Sequence, residues 1–311
     1  MLVAFVGAPR VDAAEKVVMG TIGSFNAFTW PSQIAIAKGF YTEQGIEPDL
    51  ISVPSAPAML QQLAAGSLDV GVSSGLIDPL RLVSRRAPVA FARYELRISP
   101  YVLIANAKIA TIADLKGKHV AIGSRSDVTY VLIEKMLATA KLVPDDVDLM
   151  YSGATAARYA ALKTGAFDAT LLATPLNFVA IKDGFRDLGI AGNFAKDLPF
   201  TGSTVNRNWA KAHPDTAKHI FAASDKASEW LHDKANRDEA IKILVESAHV
   251  STAEAGQSYD FLIGGDFYDR THKISRKGIA ALVSALHDVG DGDIVATAED
   301  CVVPGVTEIV E

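Results

Sequence analysis

The sequence predicts an α/β protein made of two similar α/β lobes around a central ligand cleft. Short apolar segments alternate with longer amphipathic ones, a pattern typical of strands and helices in α/β folds. The pattern also repeats when the chain is shifted by 99 positions. At roughly 150 residues per domain, the 311 residues are enough for two such units.

The apolar segments define the elements in chain order. Strands are predicted at 17–22, 48–53, 68–72, 89–93, 119–122, 147–151 and 169–172. Helices are predicted at 56–65, 129–140, 215–231, 237–245 and 277–287. Pro214 suits the first turn of one helix, and the run from Ser251 to Glu254 has the sequence of a capping box before another.

The repeat pairs residues that are typical of a helix followed by a strand. Asp49, Leu63, Gly66 and Asp69 correspond to Asp148, Leu162, Gly165 and Asp168. The two glycines are expected to end helices in the left-handed conformation, and the two aspartates to accept backbone hydrogen bonds at the turn. Two lobes of this kind form a cleft at the carboxyl ends of their strands, where small ligands bind.

Composition excludes several classes of protein. The chain has 30 basic and 36 acidic residues and a net charge of -6, so a nucleic-acid partner is not expected. One cysteine, Cys301, cannot form an intramolecular disulfide. The seven histidines are dispersed and phosphate-loop and dinucleotide motifs are missing, so neither a metal site nor a cofactor is predicted.

The N-terminal residues indicate the cellular compartment in which the protein is expected. No apolar run of about 18 residues predicts a transmembrane helix. Residues 2–8 are apolar, and small residues precede a possible cleavage site before Ala14, so residues 1–14 are predicted to be the remnant of a secretory signal peptide. An ordinary first strand is the alternative. Export would make the protein a soluble periplasmic protein. A lipid anchor is not expected, because the N-terminal cysteine that it requires is absent.

Polar turns after the predicted strands are the candidate binding site. Helix starts there offer free N–H groups and a positive dipole end to an anion. Three aromatic residues could wall an apolar part of the ligand. The candidates are Ser24, Phe25, Asn26, Trp30, Ser55, Ser73, Ser74, Tyr94, Ser124, Arg125, Ser126, Asp127, Ser152, Thr155 and Thr174. Each polar one could instead be a helix cap.

Two kinds of ligand remain open. Arg125 lies beside a predicted helix start, where a cation is unfavourable unless an anion offsets it. This favours a small organic anion bound by Arg125. The other hypothesis is a neutral or cationic heterocycle that stacks on Trp30 and pairs with Asp127 or Asp78.

Five segments, in order, resemble periplasmic solute-binding proteins for sulfonates, taurine and related compounds. They are AIAKGFYTEQGIEPDL at 35–50, QQLAAGSLDVGVSS at 61–74, TIADLKGKHVAIG at 111–123, AALKTGAFDATLLATP at 160–175 and RNWAKAHPDTAKHIFAA at 207–223. The resemblance implies a type II periplasmic binding protein fold with one lobe from 15–103 and 206–311 and the other from 104–205. It also implies a monomeric, non-enzymatic receptor that delivers a solute to the inner-membrane permease of an ABC importer.

Two enzyme hypotheses are alternatives to the receptor interpretation. Gly71 to Gly75 matches the G-x-S-x-G motif of serine hydrolases, with Ser73 as nucleophile, but no oxyanion-hole segment precedes it. Enzymes of menaquinone or thiamine-pyrimidine biosynthesis resemble binding proteins in sequence. The thiamine type carries a cysteine-rich motif that one cysteine cannot reproduce.

Overall fold

The computed structural model describes residues 14–23 and 26–311. The predicted signal-peptide remnant, except Ala14, lies outside the described residues. The described strands are β1 Glu15–Ile22, β2 Ile46–Val53, β3 Val70–Gly75, β4 Val89–Leu96, β5 Val102–Ala105, β6 His119–Ile122, β7 Asp148–Tyr151, β8 Ala169–Leu172, β9 Arg186–Ile190, β10 Thr201–Asn206, β11 Ile274–Ser275 and β12 Ile309–Val310.

The α-helices lie between these strands and dominate the last third of the chain. They are α1 Trp30–Ala37, α2 Phe40–Glu43, α3 Ala56–Ala65, α4 Ile77–Ser84, α5 Val128–Thr139, α6 Thr155–Lys163, α7 Leu176–Lys182, α8 Arg207–Ala212, α9 Pro214–His232, α10 Arg237–Ala248, α11 Thr252–Gly264, α12 Arg276–Asp288 and α13 Ala298–Cys301. Among the described helices, none is both long and apolar enough to cross a membrane.

Two five-stranded mixed sheets form the framework. The first has the order β2-β1-β3-β10-β4, and the second has the order β7-β6-β8-β5-β9. In the first sheet β1 pairs parallel with β2 and β3, while β10 is antiparallel to β3 and β4. In the second, β6 pairs parallel with β7 and β8, while β5 is antiparallel to β8 and β9. The sheets therefore have the same topology, with β10 and β5 in equivalent places.

The repeated glycines and aspartates have the same structural roles in both sheets. Gly66 and Gly165 follow α3 and α6 with φ angles of 77° and 76°, as the sequence predicts. The Asp69 carboxylate accepts a hydrogen bond from the Val18 N–H of β1 at 2.9 Å. Asp168 accepts one from the His119 N–H of β6 at 3.0 Å. Each aspartate thus ties the turn before its strand to the neighbouring strand.

Strand pairing places the two passages between the sheets at residues 97–101 and 191–200. Under the limits predicted from the sequence, 104–205 form the second lobe, which would include most of β10. Its pairing with β3 and β4 instead puts β10 in the first sheet. The limits drawn from strand pairing are therefore about 14–98 with 199–311 for lobe 1, and the segment between for lobe 2.

Sequence periodicity identified the central elements but missed β5 and β10, the strands that follow the two passages between the sheets. The predicted strand at 119–122 and helix at 56–65 match β6 and α3 in full, and α5 and α9 differ from prediction by one residue at each end. The Ser251 capping box is also confirmed. The missed β10 has the sequence TGSTVN, whose residues are all buried although most are polar or small. Because its hydroxyls are buried between β3 and β4, the hydrophobicity of the sequence does not predict this strand.

Candidate ligand-binding site

A cavity lies where the two sheets face each other. It encloses about 710 Å³ of empty space, counting the part that is open to solvent. Its polar and charged lining residues are Thr21, Asn26, Thr29, Ser55, Ser73, Asp78 and Thr201 from lobe 1, and Tyr101, Asp127, Thr129, Thr155 and Arg158 from lobe 2. Residues from the first turns of α3, α4, α5 and α6 are among the lining, so four helix starts point to one space. Such an arrangement favours negative charge.

Arg158 is the only basic residue among the described residues that line this cavity. Its side chain is buried, with 2% exposure. Nε and Nη2 donate to the Leu171 carbonyl at 3.1 and 3.0 Å, and Nη1 donates to the Gly153 carbonyl. A guanidinium has five N–H donors, so two remain. Arg158 makes no ion pair with any described residue. A buried cation without a carboxylate partner is suited to bind an anion.

The start of α6 adds further donors beside Arg158. Thr155 is the first residue of this helix, and Ala154 before it provides no side-chain cap. The Thr155 hydroxyl instead accepts a hydrogen bond from the Ala173 N–H at 3.0 Å. The N–H groups of the first turn therefore have no partner within their helix. Arg158 is one turn further on, so the cation and the free amides lie at the same end of α6.

Asp78 contributes an opposite charge from lobe 1. It lies in the first turn of α4 and is 6% exposed. Its Oδ1 accepts a hydrogen bond from Arg81 Nη1 at 3.0 Å, and the Ser126 hydroxyl interacts with the same carboxyl group. Burial, followed by the negative charge of Asp127, raises the pKa of Asp78 to about 7. This carboxyl group therefore titrates near neutral pH in the ligand-free protein.

Asp127 faces the cavity from lobe 2 and caps α5. Its Oδ1 accepts hydrogen bonds from the Thr129 N–H at 2.9 Å and from the Thr129 hydroxyl. Burial raises its pKa, and these hydrogen bonds oppose that shift. The cavity thus contains one guanidinium and two carboxyl groups whose ionised forms are disfavoured.

Aromatic rings form an apolar wall. Phe28, Tyr101 and Phe200 contact one another edge to face, with ring centroids 5.3 to 5.6 Å apart. Ser73 lies beside them in a left-handed conformation with φ of 48°, and its hydroxyl donates to the Phe28 carbonyl at 3.1 Å. This wall provides a place for the carbon atoms of a ligand.

The two lobes touch around the cavity. A Cβ atom added to Gly75 of β3 would lie 2.8 Å from the side chain of Val128 in α5. The Ala27 N–H donates to the Thr174 carbonyl at 3.2 Å, and Arg81 donates to the Ser126 carbonyl. These contacts join residues of lobe 1 to residues of lobe 2, so the cavity is bounded from both sides.

The predicted site residues fall into three groups. Five of them line the cavity: Asn26, Ser55, Ser73, Asp127 and Thr155. Ser24 and Phe25 lie outside the described residues. The others are not part of the lining: Trp30, Ser74, Tyr94, Ser124, Arg125, Ser126, Ser152 and Thr174.

Trp30 and Arg125, the two residues predicted to stack on or pair with the ligand, lie outside the cavity lining. Trp30 is 0% exposed, and its indole donates to the Ala240 carbonyl at 3.0 Å, so it is a core residue rather than a stacking platform. Arg125 is exposed, with its guanidinium 3.7 Å from the centroid of the Tyr130 ring. The argument for Arg125, a cation near a helix start, applies instead to Arg158. The sequence alone could have identified Arg158 on that ground, since it lies three residues after Thr155, the last residue of a predicted polar turn.

The hydrolase hypothesis requires a histidine beside Ser73. None of the described residues that line the cavity is a histidine. The Ser73 hydroxyl already has the Phe28 carbonyl as acceptor and lies 3.2 Å from the Thr201 hydroxyl. The acid that interacts with the Ser73 side chain is Glu95, whose pKa is raised by burial, and the lining places no histidine beside Ser73 among the described residues.

Similar proteins have this architecture. An Escherichia coli (strain K12) chain named as an aliphatic sulfonates-binding protein is 32% identical over 202 residues, covering 63% of this chain and 61% of its own. The alkanesulfonate-binding protein SsuA of Xanthomonas axonopodis pv. citri, solved with bound MOPS, superposes with a TM-score of 0.76 at 19% identity, over 95% of this chain and 98% of its own. The predicted periplasmic binding protein fold is confirmed.

The same fold also occurs in an enzyme. The desulfurization enzyme DSZB superposes with a TM-score of 0.66 at 15% identity, over 94% of this chain and 97% of its own. The fold by itself therefore does not separate receptors from enzymes. The profile described as NMT1/THI5 like matches residues 29–238, which is more than half of the chain. On that match, and on a fold shared with sulfonate-binding proteins, this chain belongs to the NMT1/THI5-like family.

Proposed function

We propose that this protein is the substrate-binding receptor of an ABC-type importer and that it captures a small organic anion of sulfonate or carboxylate type. The observation that carries the proposal is Arg158, a buried guanidinium with two free donors beside the uncapped start of α6. Names of similar proteins support the receptor class, because they include sulfonate-binding proteins. The partner would be an inner-membrane permease, and the protein would act as a monomer in the periplasm.

The mechanism follows from a cavity shared by two lobes. A ligand can favour the closed arrangement only if it binds that arrangement more tightly than an open one, so it must contact both lobes. Arg158 and α6 would bind the anionic head from lobe 2. The hydroxyls of Ser73 and Thr201, with Phe28, would cover it from lobe 1. Closure would then present a liganded surface to the permease.

The heterocycle hypothesis has less support. It required Trp30 as a stacking surface, and the Trp30 ring packs edge to face on Tyr259 in the core. A biosynthetic enzyme on the same fold stays an alternative, because the desulfurization enzyme DSZB is an example of an enzyme with this fold. Turnover of a bound anion, seen as a change in its mass spectrum on incubation, would favour that alternative.

The decisive experiment compares Arg158→Lys with Arg125→Ala. A thermal-shift screen of small sulfonates and carboxylates first selects a binder, since a ligand at 100 times its Kd adds about 2.7 kcal/mol of stability. Calorimetry with that binder should then show affinity lower by roughly 10- to 100-fold in Arg158→Lys, which keeps the charge but loses the forked donors. Arg125→Ala should bind like wild type. Unchanged binding by a folded Arg158→Lys would contradict the anion assignment.

A further inference from the structure

A groove outside the ligand cavity lies between α3 and α4 of lobe 1 and reaches lobe 2 at Ser126. It encloses about 670 Å³ of empty space, counting the part that is open to solvent. Its apolar lining consists of Pro57, Leu60, Ala64 and Leu82. Leu60 belongs to an apolar core cluster of lobe 1, and Ala64 and Leu82 pack against that cluster while staying half-buried. The apolar floor of the groove is therefore held in place by the core.

The rim of this groove is positively charged. Arg81 lies in the last turn of α4, and Arg85 directly follows that helix. Arg81 is paired with Asp78 and Asp291, whereas Arg85 is exposed and makes no ion pair with any described residue. Among the described residues that line the groove, Asp78 is the only acid, and Arg81 already pairs with it. On a chain with a net charge of -6, the groove thus presents an unpaired cation beside an apolar floor.

One wall of the groove depends on the position of lobe 2. Ser126 lies just before α5, and its carbonyl accepts a hydrogen bond from Arg81 of lobe 1. The Ser126 hydroxyl interacts with the carboxyl group of Asp78, a residue that lines both the groove and the ligand cavity. Movement of lobe 2 away from lobe 1 would remove this wall. The complete groove therefore exists only while the two lobes are in contact around the cavity.

We propose that this groove is the docking site for the inner-membrane permease and that it receives a permease segment carrying an apolar side chain next to a carboxylate. The apolar side chain lies on Leu60 and Leu82, and the carboxylate pairs with Arg85. Charge complementarity favours an acidic segment, because Arg85 has no carboxylate partner among the described residues. An apolar centre with a charged rim is the usual composition of a protein interface.

The location of the groove gives the permease a way to recognise ligand binding. A ligand that favours contact between the lobes also favours the complete groove, so a permease that binds the groove binds the liganded receptor more tightly. The inference rests on the proposed function, because it assigns the surface by which a receptor would meet its permease.

Two adjacent arginines provide a matched pair of variants. Arg85 and Arg86 are both exposed, and neither makes an ion pair with a described residue, but Arg85 lines the groove and Arg86 lines a separate surface pocket. Arg85→Glu and Arg86→Glu change the net charge equally, so a difference between them reports the groove itself. Ala64→Glu, on the floor, and Ala65→Glu, exposed on the same helix and outside the lining, form a second pair.

The test measures uptake by cells of the source organism in which a variant gene replaces the native one. The labelled compound is the sulfonate or carboxylate selected by the thermal-shift screen, supplied at a saturating concentration. Arg85→Glu and Ala64→Glu should reduce uptake by about tenfold or more, because each places a carboxylate against an acidic segment. Calorimetry should show that both variants bind the compound within about twofold of wild type, which separates docking from capture. Arg86→Glu and Ala65→Glu should retain wild-type uptake.

The outcomes distinguish this inference from the proposed function. Wild-type uptake in a folded Arg85→Glu or Ala64→Glu variant would overturn the docking site and leave the receptor function intact. Equal losses in Arg85→Glu and Arg86→Glu would also overturn it, since a general charge effect would then explain both. A wild-type dimer that Arg85→Glu dissociates, seen by light scattering, would assign the groove to a second copy instead. If replacing the gene with an empty cassette leaves uptake unchanged, the proposed function fails and the docking site fails with it.

Discussion

The two lobes share one topology but not one chemistry. With the 99-residue shift, α3 of lobe 1 corresponds to α6 of lobe 2, and Met59 corresponds to Arg158. Met59 is 0% exposed and packs in an apolar cluster, whereas Arg158 is buried against the cavity. Before these helices, Ser55 caps α3 and the equivalent Ala154 leaves α6 uncapped. Lobe 2 therefore supplies the buried cation and the uncapped helix start that line the cavity.

The acid at the cavity edge shows the opposite asymmetry. Asp78 of α4 corresponds under the same shift to Asn177 of α7, which is also buried but carries no charge. Lobe 1 thus has a carboxyl group where lobe 2 has an amide. The comparison teaches that a repeated fold can place equivalent positions around one cavity while single differences between the copies decide the charge that each lobe presents to it.

Replacing Arg158 of α6, which has a methionine as its equivalent in lobe 1, should have the largest effect on ligand affinity. Arg158→Met makes lobe 2 resemble lobe 1 and deletes the only cavity cation among the described residues. We expect the affinity for an anionic ligand to fall by about 100-fold or more, because a charged group loses its partner. Calorimetry measures this, and circular dichroism checks the fold. Arg125→Met is the control, and equal losses in both variants would contradict the role of Arg158.

Replacing Asp78 by asparagine tests, through the pH dependence of folding stability, whether the carboxyl group of lobe 1 is buried. Its folded pKa of about 7 lies above the usual 3.8, so the folded protein keeps a proton that the unfolded chain has lost between about pH 4 and pH 7. The contribution of Asp78 to stability therefore falls as pH rises through that range. Asp78→Asn lacks this loss, so the stability of the variant relative to wild type should be about 1–3 kcal/mol greater at pH 8 than at pH 4. Urea unfolding measures it, and the same relative stability at both pH values would contradict the buried charge.

Separating the lobes should weaken binding without touching the polar groups. In Gly75→Ala the new methyl would approach the Val128 side chain to 2.8 Å across the lobes. We expect about a tenfold loss of affinity, since closed contacts would be strained while each lobe stays intact. Gly264→Ala, which meets no atom within 4 Å, is the control. Unchanged affinity in Gly75→Ala would mean that the bound form does not bring these residues together.

Removing the cap of lobe 1 should have the smallest effect, and on stability alone. Ser55 accepts a hydrogen bond from the Ala58 N–H at 3.4 Å. Ser55→Ala should lower the free energy of unfolding by about 1 kcal/mol, and Ser55→Asn should retain most of it because asparagine also caps helices. Thermal unfolding measures the change in stability, and calorimetry measures the change in ligand affinity. A loss of affinity larger than the loss of stability would place Ser55 in direct contact with the ligand.

The sequence predicted the order of elements better than the identity of the site. The helix at 56–65, the left-handed Gly66 and the aspartates before β3 and β8 follow from patterns that span a few residues. The cleft between lobes followed from the repeat. Among the site residues, Asn26 and Asp127 line the cavity, but Arg158 was missed because it lies inside a helix rather than in a turn. The polar strand β10 was missed because hydrophobicity was the criterion.

By itself, the sequence determined the α/β alternation, the two copies and the ends of their helices, because periodicity, glycine and capping residues act over one or two turns of chain. Only the tertiary structure decided which polar side chains meet. Trp30 and Arg125 look as suitable as Arg158 in the sequence, but packing of α1 against α10 buries the first and stacking on Tyr130 holds the second outside the cavity lining. The direction of a side chain depends on the neighbours that distant segments bring, and in the described part of the chain these neighbours leave Arg158 as the basic residue that lines the cavity.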